Sequence, residues 1–165
     1  EWKKKVLKED WYLGDTYFTA IGQYSMQVTP LQMARATAAV AHEGKLPFPR
    51  ILAREPISAY SIPVGESALS VAREGMREAV TSSLATALNV PYVTVAAKTG
   101  TAQTGARNQY DNSWVEGFFP VDTPRYAFAI VLERGPSGMG EQAVTAMRDF
   151  LDLLHTASST LLTGE

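Results

Sequence analysis

Residues 126–133 read Tyr-Ala-Phe-Ala-Ile-Val-Leu-Glu. Tyr126, Phe128, Ile130 and Leu132 alternate with Ala127, Ala129 and Val131, so both faces of an extended segment here are apolar. This pattern predicts a strand over Tyr126–Glu133 that is covered on both sides. Two more strands precede it, Tyr92–Thr101 and Trp114–Phe119. They are joined by a polar turn at Gly105–Asn112 and by Asp122-Thr123-Pro124. Connections this short predict an antiparallel meander, because parallel strands need a long crossover. Gly135-Pro136-Ser137-Gly138 breaks the chain. A last helix is predicted over about Met139–His155, with Val144, Met147, Phe150, Leu151 and Leu154 against the sheet. From Ala157 the tail is expected to be weakly structured.

The first half reads as helix and loop. Glu1 to Asp10 is charged, and its Lys3-Lys4-Lys5 run reads as a solvated face. Gly14 to Gln27 is turn-prone and is assigned irregular structure. Thr29-Pro30-Leu31-Gln32 is a helix start: Thr29 can cap, Pro30 suits the first helical position, and Gln32 completes a capping box. Leu31, Ala34, Ala38 and Ala41 share one face of that helix, which ends at Gly44. Pro47, Pro49, Pro56 and Pro63 mark a loop with one short strand near Arg50–Ala53. A second helix, about Ser67–Thr81, carries the stripe Leu69, Ala72, Met76 and Val80. The domain thus divides into a helical and loop part at about 14–90 and a sheet with a C-terminal helix at about 91–156. The fold class is α+β.

Composition narrows the chemistry. A chain of 165 residues can bury a real core. The net charge of −2 gives no electrostatic case for nucleic acid or an anionic membrane. No apolar run approaches the roughly 20 residues that span a bilayer. Zero cysteines excludes disulfides and thiolate catalysis. His42 and His155 are far apart and read as helix-end surface residues, so no metal is expected. The start at Glu1 rather than Met reads as a boundary inside a longer protein.

The chemistry-bearing stretch is Ala97-Lys98-Thr99-Gly100-Thr101-Ala102-Gln103, led in by the apolar run Val93–Ala97. A lysine, a hydroxyl and a glycine on consecutive strand positions can form an edge that holds a carboxylate and an extended peptide. Lys-Thr-Gly is the third signature of β-lactamases and penicillin-binding proteins, after Ser-x-x-Lys and a Ser-x-Asn-type element. No serine here has a lysine three positions on, and none has an asparagine two positions on. The chain carries one wall of a serine acyltransferase site without the nucleophile.

Four stretches, in order, resemble the C-terminal part of the transpeptidase domain of class B penicillin-binding proteins, the monofunctional peptidoglycan D,D-transpeptidases. They are Gly14-Asp15-Thr16 with Ala20-Ile21-Gly22-Gln23, then Val28–Ala34, then Ala97–Gln103. The last is Trp114–Pro120 with Pro124-Arg125-Tyr126-Ala127. The resemblance implies the serine β-lactamase and penicillin-binding-protein fold, an antiparallel sheet with packed helices. It also implies that the serine motifs lie in the N-terminal remainder of the same domain, ahead of Glu1. Acyl-serine chemistry needs no cofactor. The implied ligands are peptidoglycan stem peptides ending in D-Ala-D-Ala, and β-lactams. The implied location is the extracytoplasmic face of the bacterial membrane, in a parent anchored by an N-terminal helix.

By the same resemblance, Lys98 and Thr101 are the catalytic candidates, and Lys98, Thr99, Gly100, Thr101 and Gln103 bind substrate. Lys98 supplies a charge for an anion and tunes a neighbouring serine. Thr99 offers a hydroxyl to a terminal carboxylate. Gly100 lets an extended substrate approach the backbone. Thr101 donates its N–H to an oxyanion, and Gln103 lines the cleft. Tyr110, Asp111 and Trp114 stand near the rim. Glu116 reads as a charge at a strand edge or paired with an arginine, while Asp15 and Glu133 read as structural. Two other functions stand as alternatives: a β-lactam or muropeptide sensor without turnover, which shares the strand, and a structural half-domain that docks on a partner.

Overall fold

The computed structural model describes residues 1–23, 27–138, 141–158 and 162. In chain order the elements are α1 (Trp2–Val6), α2 (Leu13–Ala20), α3 (Pro30–Ala41), β1 (Lys45–Pro47), β2 (Ala59–Ser61), α4 (Glu66–Ser82), β3 (Ala96–Thr104), β4 (Tyr110–Phe119), β5 (Tyr126–Pro136) and α5 (Gln142–Ala157). A short 3₁₀ turn at Thr86–Leu88 lies between α4 and β3.

The predicted meander forms, in the order β3-β4-β5, antiparallel throughout. Its strands differ in extent from the sequence pattern. Val93 and Val95 are buried but precede the ladder, and β3 runs on to Thr104. Both β4 and β5 are longer than their apolar stretches, because backbone pairing continues into polar and turn-type residues, Tyr110–Ser113 in β4 and Arg134–Pro136 in β5. The apolar pattern of β5 is met by helices: α3 and α5 both pack on β4 and β5. Gly117 sits where β4 is pinched between its neighbours. A Cβ there would lie 2.3 Å from the Ala96 carbonyl oxygen and 2.6 Å from Phe128 Cζ.

The core joins the inner ends of β3 and β4 to α5. Val95, Ala97, Val115, Met147 and Leu151 are fully buried in one cluster with Val80 and Leu88. Two polar groups of β4 fix the start of α5. Ser113 Oγ accepts the Ala143 N–H at 3.1 Å, and Asp111 Oδ2 accepts the Gly138 N–H at 2.8 Å. Helix N-termini carry unpaired N–H groups, and Ser113 satisfies one from the sheet. Phe150, expected to face the sheet, is exposed on α5, while Ala143 is buried. The expected start at Met139 and the tail beyond Ser158, apart from Leu162, lie outside the described residues.

The capping box of α3 forms as predicted. Thr29 Oγ1 accepts the Gln32 N–H at 3.2 Å, and Gln32 Oε1 accepts the Thr29 N–H at 2.8 Å. The alanine face differs from the expected stripe: Thr37 and Ala39 are buried and Leu31 is exposed. This helix packs on several sides, against β5, β4, β1 and α4, so no single stripe describes it. On α4, Leu69 and Val80 are buried, Met76 is half-buried and Ala72 is exposed. Arg73 and Arg77 fill the remaining inward positions, donating to the Val40 carbonyl at 3.1 Å and the Val95 carbonyl at 2.8 Å.

Three expectations are corrected. Residues 50–53 form no strand; Arg50 Nη1 organises a turn by donating to the Ala53 and Glu55 carbonyls. The pairing segments are β1 and β2, each too short to show a period. The stretch assigned irregular structure instead begins inside a helix, Leu13–Ala20, since the Asp15 carboxylate accepts the Tyr12 N–H at 2.7 Å and starts the helix. Residues 24–26 of that stretch lie outside the described residues. Lys3 is buried rather than solvated, with Nζ 2.6 Å from Asp15 Oδ2 and 3.5 Å from Glu9 Oε2. Lys4 and Lys5 are exposed.

Candidate active site

Lys98, Thr99, Gly100, Thr101 and Gln103 all lie on β3, an outer strand of the described sheet. Side chains alternate across a strand. Thr99 and Thr101 share one face, and they line a cavity of about 640 Å³ with Leu84, Gly138, Glu141, Gln142 and Thr145. Lys98 points to the other face. Gln103 is exposed and does not line the cavity.

The backbone of β3 is placed as tellingly as its side chains. The Thr99 carbonyl accepts from Lys98 Nζ, and the Thr101 carbonyl accepts from Gln23 Nε2 at 3.0 Å. Two residues apart, these carbonyls face the same edge, the one away from β4. In an antiparallel ladder the N–H and C=O of a residue point to the same side. The N–H groups of Thr99 and Thr101 therefore also face the free edge. Gly100 separates them, and the fold gives no packing reason for a glycine there. A Cβ at Gly100 would meet Trp114 Cβ at 3.4 Å, ordinary contact.

Electrostatics on the Lys98 face involve Glu116. The two residues are direct cross-strand partners and share a face. Burial pushes the Glu116 carboxyl above the usual carboxylate range, and the Lys98 ammonium opposes that shift. The sequence expectation of a strand-edge charge or an arginine partner is thus corrected: β4 is the central strand, and a lysine faces the carboxylate. Near the expected rim, the Tyr110 ring lies under the Arg134 guanidinium at 5.1 Å, and Asp111 is buried holding Gly138. Asp15 pairs with Lys3.

Gln23 was not among the sequence candidates, although the Gly22-Gln23 pair stood in a resembling stretch. Its placement is local. The Gln23 N–H bonds to the Phe18 carbonyl at 2.9 Å and the Gly22 N–H to the Thr19 carbonyl at 3.0 Å. With Gly22 at φ +74°, this is a Schellman closure of α2. It aims the Gln23 side chain at β3.

The model of the penicillin binding protein transpeptidase domain matches residues 3–152. The chain therefore belongs to the penicillin-binding protein transpeptidase family, and its relatives group it with the class B members. It is 32% identical over 162 residues to the peptidoglycan D,D-transpeptidase MrdA of Acinetobacter baumannii, covering 84% of this chain and 24% of that protein. It is 31% identical over 180 residues to MrdA of Escherichia coli K12, covering 92% of this chain and 28% of that protein. Among solved structures, the penicillin-binding protein PBP2 of Helicobacter pylori superposes with a TM-score of 0.80 at 31% identity, over 95% of this chain and 30% of that one. The chain thus spans about a quarter of the length of these curated relatives.

Proposed function

We propose that this chain is the substrate-binding half of a peptidoglycan D,D-transpeptidase, completed by a preceding segment of the same domain that carries the serine. The observation that carries the proposal is the free edge of β3. Thr99 and Thr101 turn their backbone groups outward on either side of a glycine that the packing does not require. Such an edge suits an extended peptide that pairs as an added strand.

In this proposal the serine oxygen attacks the carbonyl of the penultimate D-Ala. The terminal D-Ala leaves as the free amino acid, and an acyl-serine ester remains. An amine of a second stem peptide then displaces the serine and completes the cross-link. The Thr101 N–H stabilises the oxyanion of each tetrahedral intermediate. The Thr99 and Thr101 hydroxyls hold the terminal carboxylate, and Gln103, exposed further along β3 outside the cavity, can meet only a part of the substrate that extends past it. Lys98 holds a positive charge beside the serine and its base. A β-lactam acylates the same serine, with its ring amide in place of the peptide bond. Without the serine, the 165-residue chain is inert. In this proposal the complete enzyme works at the outer face of the bacterial membrane, held by an N-terminal anchor.

The test compares Thr101→Pro with Thr101→Ala in the full-length enzyme. Alanine keeps the N–H and proline removes it. The proline variant is expected to lose about 10²–10³ in the second-order acylation rate with a penicillin, as when one oxyanion donor is removed. The alanine variant loses about 1 kcal/mol of carboxylate binding. Thermal melting establishes that both are folded. Equal acylation by a folded proline variant refutes the assignment of Thr101.

A further inference from the structure

The free edge of β3 is not empty: the Gln23 carboxamide occupies the Thr101 carbonyl at 3.0 Å. Resting on the transpeptidase reading above, we propose that Gln23 is an internal competitor for substrate, and that a ligand pairs with β3 at Thr101 only by displacing its side chain.

Three observations carry this. First, the contact joins residues 78 positions apart and bridges the closure of α2 to the strand that binds substrate. Second, the Gln23 backbone is fixed by the Schellman closure, while among the described residues its side chain makes one hydrogen bond, so the carboxamide can swing away without unfolding the helix end. Third, a carboxamide N–H is the same chemical donor as a peptide N–H. Exchange of one for the other at the Thr101 carbonyl trades a hydrogen bond for its equal. An open strand edge invites pairing with any extended chain. A tethered amide blunts that edge and yields only to a ligand that brings its own N–H in register. The ligand class is therefore an acyl donor with an amide N–H beside the scissile carbonyl, as in a stem peptide or a penicillin bearing an acylamino side chain.

The proposal makes Gln23 a specificity-determining residue that acts before chemistry. The test uses the full-length enzyme and Gln23→Ala, with pre-steady-state kinetics to separate the dissociation constant of the non-covalent complex from the acylation step. Two probes are compared: benzylpenicillin, which has the acylamino N–H, and a penicillanic-acid β-lactam that lacks it. Removing the competitor is expected to tighten benzylpenicillin binding about fivefold, the effect of one net hydrogen bond. The expected change lies in binding rather than in the acylation step, and the probe without the N–H gains nothing. Weaker benzylpenicillin binding, a slower acylation step, or equal tightening for both probes overturns the proposal and makes Gln23 a clamp on the strand. Failure of the parent enzyme to form any adduct with either probe overturns the transpeptidase reading and this inference with it.

Discussion

The sheet with α5 and the N-terminal helix pair are built differently. In the first region the apolar side chains face one another: Val95, Val115, Met147 and Leu151 have no exposed surface. In the second they face outward. Trp11, Tyr17 and Phe18 are more than half exposed, and Ile21 is 71% exposed. What is buried between α1 and α2 is instead an ion pair, Lys3 with Asp15. The difference shows which part of the chain is held by its own core and which is organised by polar contacts. Large clustered apolar surfaces mark faces that other structure covers. In the proposed enzyme that cover is the segment bearing the serine.

Substitutions can break or sharpen this contrast. Met147→Ala removes a buried side chain from the sheet–α5 core and is expected to cost about 2–5 kcal/mol of global stability, read by urea unfolding. Asp15→Ala leaves the Lys3 ammonium buried without its nearest carboxylate, a strongly unfavourable state. The expected response is local: residues 2–20 lose helicity and hydrogen-exchange protection, while the unfolding free energy of the sheet moves by less than about 1 kcal/mol. A global loss as large as that of Met147→Ala would show that the two regions fold as one.

A smaller effect is expected where α5 meets the entry to β3. The Tyr92 hydroxyl donates to Asp152, whose other oxygen accepts Arg148 Nε at 2.9 Å, and the Tyr92 ring stacks on His155 at 4.1 Å. Burial, then the Asp152 carboxylate, pushes the Tyr92 phenol up from 10.0 to about 12. A raised folded-state pKa gives stability that is complete below the unfolded value and lost as pH rises through the folded one. Wild type should therefore be more stable than Tyr92→Phe at neutral pH. That advantage should shrink between pH 10 and about 12, as chemical denaturation across that range would show. The smallest effect is expected at Gly100, where a Cβ meets only ordinary contact. Gly100→Ala should change stability by no more than about 0.5 kcal/mol. A large loss of stability there would give the glycine a packing role and weaken the case for an edge kept open for substrate.

The two regions also differ in how far the sequence discloses them. The meander was legible because its apolar alternation and short connections admit one arrangement, and α3 because Thr29, Pro30 and Gln32 cap it locally. By contrast, α2 was missed because its start depends on Asp15, which sits inside a stretch whose composition favours turns. Burial of Lys3 was invisible for a related reason: its partner is 12 residues away and meets it only once both helices form. At the site, the Lys98–Gln103 strand was legible from its string of residue types. The direction of its carbonyls was not, since that follows from the pairing of Thr101 with Ser113 and its neighbours. Nor was the pairing of Glu116 with Lys98, which is a matter of register, or the reach of Gln23 to Thr101, which needs the left-handed Gly22.

The central claim, that this chain is a substrate-binding wall without its nucleophile, is tested most directly by intact-mass spectrometry after exposure to a penicillin. The account predicts no penicilloyl adduct on the isolated 165-residue chain and one stoichiometric adduct on the full-length protein. A stoichiometric adduct on the isolated chain would place a nucleophile within these residues and contradict the account.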